Sequence, residues 1–194
     1  MNTTQPPLSA LALCGSLRES SYNRKALRLA MKHAQHLGIL TTEADLRKLN
    51  IPLYDADLEA AELPSGVQKL KQMIRQSDLL LIASPEYNHS IPGVLKNAID
   101  WASSKDNAFD GKVAMIFGAS NGPFGTARMQ PQLRQVLGVL NVLVTPQPIV
   151  MISNAQTAFT PEGAFVDAKL QHRLELLVEK TIAIATAMRG LRTT

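Results

Sequence analysis

Two short stretches hold the residue types that do chemistry. GSLRESSYN runs from Gly15 to Asn23, and SPEYNHSIPGVLKNAIDW runs from Ser84 to Trp101. The first sits between an apolar run and a helical pattern. Free backbone amides and the positive end of a helix dipole would therefore face the loop. Ser16, Ser21 and Asn23 add side-chain donors, and Arg18 adds a fixed charge with forked donor geometry. Two readings fit these residues: a cradle for a phosphate, or a loop in which Ser21 is only a helix N-cap. The second stretch places an acid, a phenol, an amide and an imidazole (Glu86, Tyr87, Asn88 and His89) directly after the apolar run Leu79 to Ala83. A chain leaving its own core has no structural need for so many hydrogen-bonding groups at once.

The elements that must position these stretches follow from periodicity. Leu8 to Cys14, Thr41 to Leu49, Leu79 to Ala83, Val113 to Ala119, and Asn141 to Val144 with an extension to Ile152 read as strands. Helical stripes lie between them: Ala26 to Ala34 with a stop at Gly38, Val67 to Ile74 behind a capping box of Ser65 and Gln68, Val94 to Ile99, and Leu133 to Leu140 after Pro131. A last stripe begins at Leu170. The segment from Asn50 to Pro64 reads as a connecting loop with a short helical turn. Strand and helix alternate five times, which predicts α/β architecture: a doubly wound, five-stranded parallel sheet with helices on both faces. Residues 1–7 form a short tail, and residues 8–190 a single domain. Ligands of open sheets sit outside the carboxyl ends of the strands. There the chain places both stretches and a third loop, Ser120 to Gly125.

Composition narrows the function classes. The chain has 194 residues, a formal net charge of +4 and one cysteine. No secretory signal or membrane span is visible, and a lone cysteine fits a reducing compartment, so the expected location is the cytoplasm. The basic residues are scattered among acids without aromatic interleaving, which speaks against nucleic acid. GxxxxGK[ST], a GxGxxG after the first strand and a GxSxG elbow are all missing. GASNGPFG has a different spacing from the dinucleotide fingerprint. His33, His36, His89 and His172 form no ligand motif, so no metal is expected. Cys14 reads as a buried small hydrophobe.

GSLRESSYN and PEYNHSIPGVLKNAIDW together match GSxRxxSxN and PEYNxSxPGxLKNAIDW. In these motifs the chain resembles the flavodoxin-like NADPH-dependent FMN reductase family, which includes bacterial quinone and chromate reductases. The resemblance runs from about Leu8 to the closing helix. It implies that Ser16, Arg18, Ser21 and Asn23 hold the FMN phosphate, with Tyr22 as a neighbour. It further implies that Pro85, Glu86, Tyr87 and Asn88 pass beside the isoalloxazine ring, and that Ser120, Gly122 and Gly125 lie near it. A backbone passing close to the ring's pyrimidine edge would supply both donors and acceptors, and Tyr87 a flat, partly polar surface. Glu86 either bonds the amides of its own loop or is a surface acid. Gly93 would let the next helix start tightly; Lys96, Asn97 and Asp100 read as structural, and Trp101 as core or interface. The implied activity is hydride transfer from NADPH or NADH to FMN and then to a small electron acceptor: a quinone, an azo compound, a metal oxyanion or free flavin. No catalytic side chain is implied, and homodimers or homotetramers are. The competing reading is a flavodoxin-type electron carrier with no substrate of its own, which the basic charge disfavours.

Overall fold

The computed structural model describes residues 6–192; of the expected tail, residues 1–5 lie outside the described residues. In chain order the elements are β1 (Ser9–Cys14), α1 (Tyr22–His36), β2 (Leu40–Ala44), α2 (Leu46–Leu49), α3 (Ala56–Ala61), α4 (Ser65–Arg75) and β3 (Leu79–Ala83). They continue with α5 (Gly93–Ser103), β4 (Val113–Ala119), α6 (Met129–Val139), β5 (Leu143–Val144), β6 (Val150–Ile152) and α7 (Ala168–Arg192). The strands pair in parallel in the order β2-β1-β3-β4-β5, with β6 also on β4.

Alternate residues of each central strand enter two different cores. Ala10, Ala12, Leu79, Leu81, Met115 and Phe117 pack with Leu27 and Ala30 of α1 and Leu177 and Val178 of α7. Leu11, Leu13, Leu80, Ile82, Ala114 and Ile116 pack with Leu70, Ile74, Leu95, Ile99, Leu133 and Leu137 of α4, α5 and α6. Covered on both faces, β3 and β4 are buried at every residue, which is why they read as uniformly apolar.

The structure departs from the sequence expectations in five places. The second strand stops at Ala44, because Asp45 turns the chain into α2 by accepting from the Arg47 amide at 3.0 Å. The fifth strand position is shared by two segments, since β5 pairs with Val113 and Ala114 while β6 pairs with Phe117 to Ala119. Pro146 and Pro148, which have no amide hydrogen for a ladder, lie in the gap. Helix α6 begins two residues before Pro131, which its first turn tolerates. The capping box is absent: Pro64 occupies the N-cap of α4, and the Gln68 amide donates to the Leu63 carbonyl at 2.7 Å. Gly93 has open space where a Cβ would stand. The glycine that close packing requires is Gly118, where a Cβ would meet the Ser84 carbonyl oxygen at 2.1 Å.

Asn97 and Trp101 are structural, as expected. The Asn97 amide and the Trp101 indole both donate to the Pro52 carbonyl, at 2.7 and 2.8 Å, and the Asn97 carbonyl accepts from the Tyr54 amide at 2.8 Å. They strap the connecting segment onto α5.

At the amino end of the sheet, Asp78 accepts from the Ser9 amide at 2.8 Å and from the guanidinium of Arg189 on α7. Burial alone would raise its carboxyl pKa. The hydrogen bonds from Ser9 and Arg189 and the arginine charge outweigh that and hold it below the usual range. A depressed folded pKa gives stability that is complete above the unfolded value, about 3.9, and is lost as pH falls through the folded one. Asp78→Asn should therefore lower stability at neutral pH and flatten the acid limb of a stability–pH profile below about pH 4. An acid limb as steep as that of the parent, read by urea unfolding, would count against this role.

Candidate functional site

The loops after β1, β3 and β4 meet at one edge of the sheet and enclose a cleft of about 140 Å³. Its wall carries Ser16, Arg18, Ser21, Tyr22, Asn23, Pro85, Glu86, Tyr87 and Ser120 from the sequence-selected set, together with Ala119 and Asn121. Asn88, Gly122 and Gly125 lie off this wall. Larger grooves of about 490 and 510 Å³ lie beside β2 and between α5 and α6, but neither gathers the converging polar groups of the three loops.

In the first loop Ser21 is an N-cap. Its hydroxyl caps α1, accepting from the Arg24 amide at 3.3 Å, and its side of the loop still lines the cleft. Helix geometry leaves the amides of Tyr22 and Asn23 without an intrahelical acceptor. Ser16 is buried and accepts from the Arg18 amide at 3.4 Å. The Arg18 side chain is exposed, and among the described residues its guanidinium has no ion-pair partner. Asn23 differs from its neighbours. Its amide donates to the Ala119 carbonyl at 2.9 Å and accepts from the Ala119 amide at 2.8 Å, both buried. Asn23 thereby joins the start of α1 to the end of β4. Tyr22 stacks on Phe159 with ring centroids 5.9 Å apart, and the Lys25 ammonium lies 5.7 Å from the Tyr22 ring centre.

The second loop is a tight hairpin. Tyr87 and Ser90 exchange backbone hydrogen bonds at 3.1 and 2.9 Å, and the two residues between them, Asn88 and His89, have φ of 49° and 64°. Positive φ at both central positions is the type I′ geometry, which asparagine tolerates well. Asn88 is thus a turn residue, exposed beside the cleft. Gln132 of α6 clamps the hairpin, donating to the His89 carbonyl at 2.8 Å and meeting the Ser90 hydroxyl at 2.6 Å. Glu86 does bond backbone amides, but those of α6: its carboxylate accepts from Arg128 and Met129 at 2.9 and 3.0 Å. No side chain of its own caps that helix, so a residue 42 positions earlier does so.

In the third loop the Ser120 hydroxyl accepts from the Gly122 amide at 3.2 Å. Gly125, with φ of 58°, backs against Met151, where a Cβ would stand 3.1 Å from that side chain. Both glycines shape the loop from behind. Cys14 is buried beneath the first loop, and burial pushes its thiol pKa up, which keeps it neutral. Sequence reasoning missed Asn121, Gln132 and Phe159. Asn121 could have been included from its place in the third loop, whereas no local pattern marks the other two.

A cleft of about 140 Å³ is smaller than the roughly 300–1,000 Å³ of sites that enclose small molecules. A cavity of that size has room for only one end of a cofactor-sized molecule, and the exposed Tyr87 loop borders it.

The 2-1-3-4-5 strand order with a cleft at the β1/β3 switch point defines a flavodoxin-like α/β protein. The family of NADPH-dependent FMN reductases matches over residues 8–157. The chain belongs to that family. It is 45% identical over 186 residues to an NAD(P)H-dependent FMN reductase of Pseudomonas aeruginosa, covering 95% of this chain and 97% of that one. A quinone reductase of Escherichia coli is 40% identical over 166 residues, covering 82% and 86%. Among solved structures, the NAD(P)H:acceptor oxidoreductase FerB of Paracoccus denitrificans superposes with a TM-score of 0.83 at 30% identity, covering 93% and 98%.

Replacing Glu86 by alanine should remove the cap of α6 at a cost of about 1–2 kcal/mol. Urea denaturation of Glu86→Ala beside Glu86→Gln, which keeps one acceptor, checks this. An unchanged midpoint in Glu86→Ala would show that the contact does not hold the helix.

Proposed function

We propose that this protein is an NAD(P)H-dependent FMN oxidoreductase whose phosphate cradle is the first loop. The observation that carries the reading is the junction of that cradle with the clamped β3 hairpin at one sheet edge. The Ser16 and Ser21 hydroxyls, the Arg18 guanidinium and the first amides of α1 hold the phosphate. Asn23 positions that loop, and Tyr22 flanks it. Pro85, Glu86, Tyr87 and Asn88 border the ring, and the Ser120–Gly125 loop closes the opposite side. FMN bound there would supply the redox chemistry, two-electron reduction of a small acceptor with NADPH or NADH as hydride donor. The protein's part is orientation and exclusion of water, and no side chain is assigned a proton-transfer role.

The acceptors we propose are quinones, azo compounds, free flavin and metal oxyanions such as chromate. One functional unit spans residues 8–190, which the two cores sharing one sheet support. A cytoplasmic setting fits the single, buried cysteine. No helix among the described residues is long and apolar enough to cross a membrane. We further propose assembly as a homodimer or homotetramer, with the exposed Leu53 of the connecting segment as a candidate contact.

Visible spectra of the protein with FMN, followed anaerobically after NADPH addition, test the proposal. Perturbed flavin bands that bleach are expected, and bands that remain oxidised would favour an electron carrier. Arg18→Ala should weaken FMN binding at least about tenfold while leaving riboflavin, which has no phosphate, within about twofold. Equal loss for both flavins would move the phosphate away from Arg18.

A further inference from the structure

Beside the proposed flavin cleft stand two side chains that neither packing nor helix stability explains. Phe124, in the third loop, is 61% exposed. Arg128 occupies the N-cap of α6, where a cation opposes the helix dipole and caps nothing. Its ion pair with Glu86, at 3.6 Å, joins an arginine side chain 44% exposed to a carboxylate side chain only 8% exposed. Phe124 and Arg128 are held together, with the guanidinium carbon 4.9 Å from the centre of the Phe124 ring. They are also tied to the cleft, because Glu86 lines it and accepts from the Arg128 backbone amide. Tyr87, which lines the cleft and is 47% exposed, offers another aromatic ring on the hairpin that Glu86 precedes. Locally unfavourable choices that cluster at a site mouth mark function.

We propose that Phe124 and Arg128 form a recognition rim for the second ligand of the cleft: a planar ring that carries an anionic group. The ring stacks on Phe124 and the anion meets the guanidinium, whose planar fork suits an oxyanion better than a lysine would. The hydride donor and a charged quinone share this chemistry, and the measurement separates them. The inference rests on the function proposed above and names who selects that site's substrates.

Isothermal titration of the FMN-loaded protein with NADP⁺, with 1,4-naphthoquinone-2-sulfonate and with neutral menadione reads binding without turnover. Arg128→Gln should raise Kd about tenfold for the charged ligands and less than about twofold for menadione, with partial recovery in Arg128→Lys. Phe124→Ala should raise Kd about fivefold for every ring ligand that uses the rim. A loss confined to NADP⁺ assigns the rim to the donor, and one confined to the sulfonate assigns it to the acceptor. Constants within twofold for all three ligands in both variants would overturn the proposal. So would variants that change only the sedimentation behaviour, since the pair would then be a subunit contact. FMN affinity measured beforehand separates the cases: absence of flavin binding removes the proposed function, whereas normal flavin binding with unaltered constants removes the rim alone.

Discussion

Three backbone hydrogen bonds hold the site level, and the rest of its geometry depends on them. Gly15 donates to the Ala83 carbonyl at 2.8 Å, Ser84 to Phe117 at 3.0 Å and Ser120 to Ile152 at 2.9 Å. Each carries the parallel ladder one residue beyond its strand, so the chain leaves β1, β3 and β4 at the same height. The close approach of Gly118 to the Ser84 carbonyl, which leaves no room for a Cβ, keeps the third loop against the second. Asn23 then ties the first loop to the end of β4 through two buried hydrogen bonds. Three loops from distant parts of the sequence thus form one edge because the sheet ends are bonded to one another.

On that level edge the chain accepts left-handed backbone at two successive non-glycine residues. The hairpin after β3 places Asn88 and His89 in left-handed backbone, and Gln132 secures it from α6. A polar loop that was merely solvated would need no such clamp. Preorganisation of this kind lets a loop present donors and acceptors to a ligand without ordering itself at the moment of binding.

The sequence made the fold and the two main loops legible because both are local statements. Alternating apolar runs dictate a buried parallel sheet, and GSLRESSYN and PEYN keep their chemistry within a few residues. What it concealed is long-range. That Asn23 grips Ala119, that Glu86 caps a helix 42 residues later and that Gln132 clamps the hairpin each depend on tertiary neighbours with no sequence period. The end of the second strand is hidden because Thr41 to Leu49 stays mildly amphipathic through the point where Asp45 caps α2. Gly93 stands out by its place in a motif, whereas nothing in an apolar strand marks the sterically required glycine, Gly118.

Glu86 shows how such long-range roles change a functional reading. An acid beside a redox site invites assignment as a proton carrier. Here one carboxylate oxygen already accepts two backbone amides, and the other faces the Arg128 guanidinium. Both oxygens are thus engaged, one in fixing the first turn of α6 and the other opposite Arg128. Its charge is better understood as structural: it joins the hairpin, the helix and the cleft wall at one point. On the function proposed above, the chemistry would fall to the cofactor, and these loops would set where it lies and what can reach it.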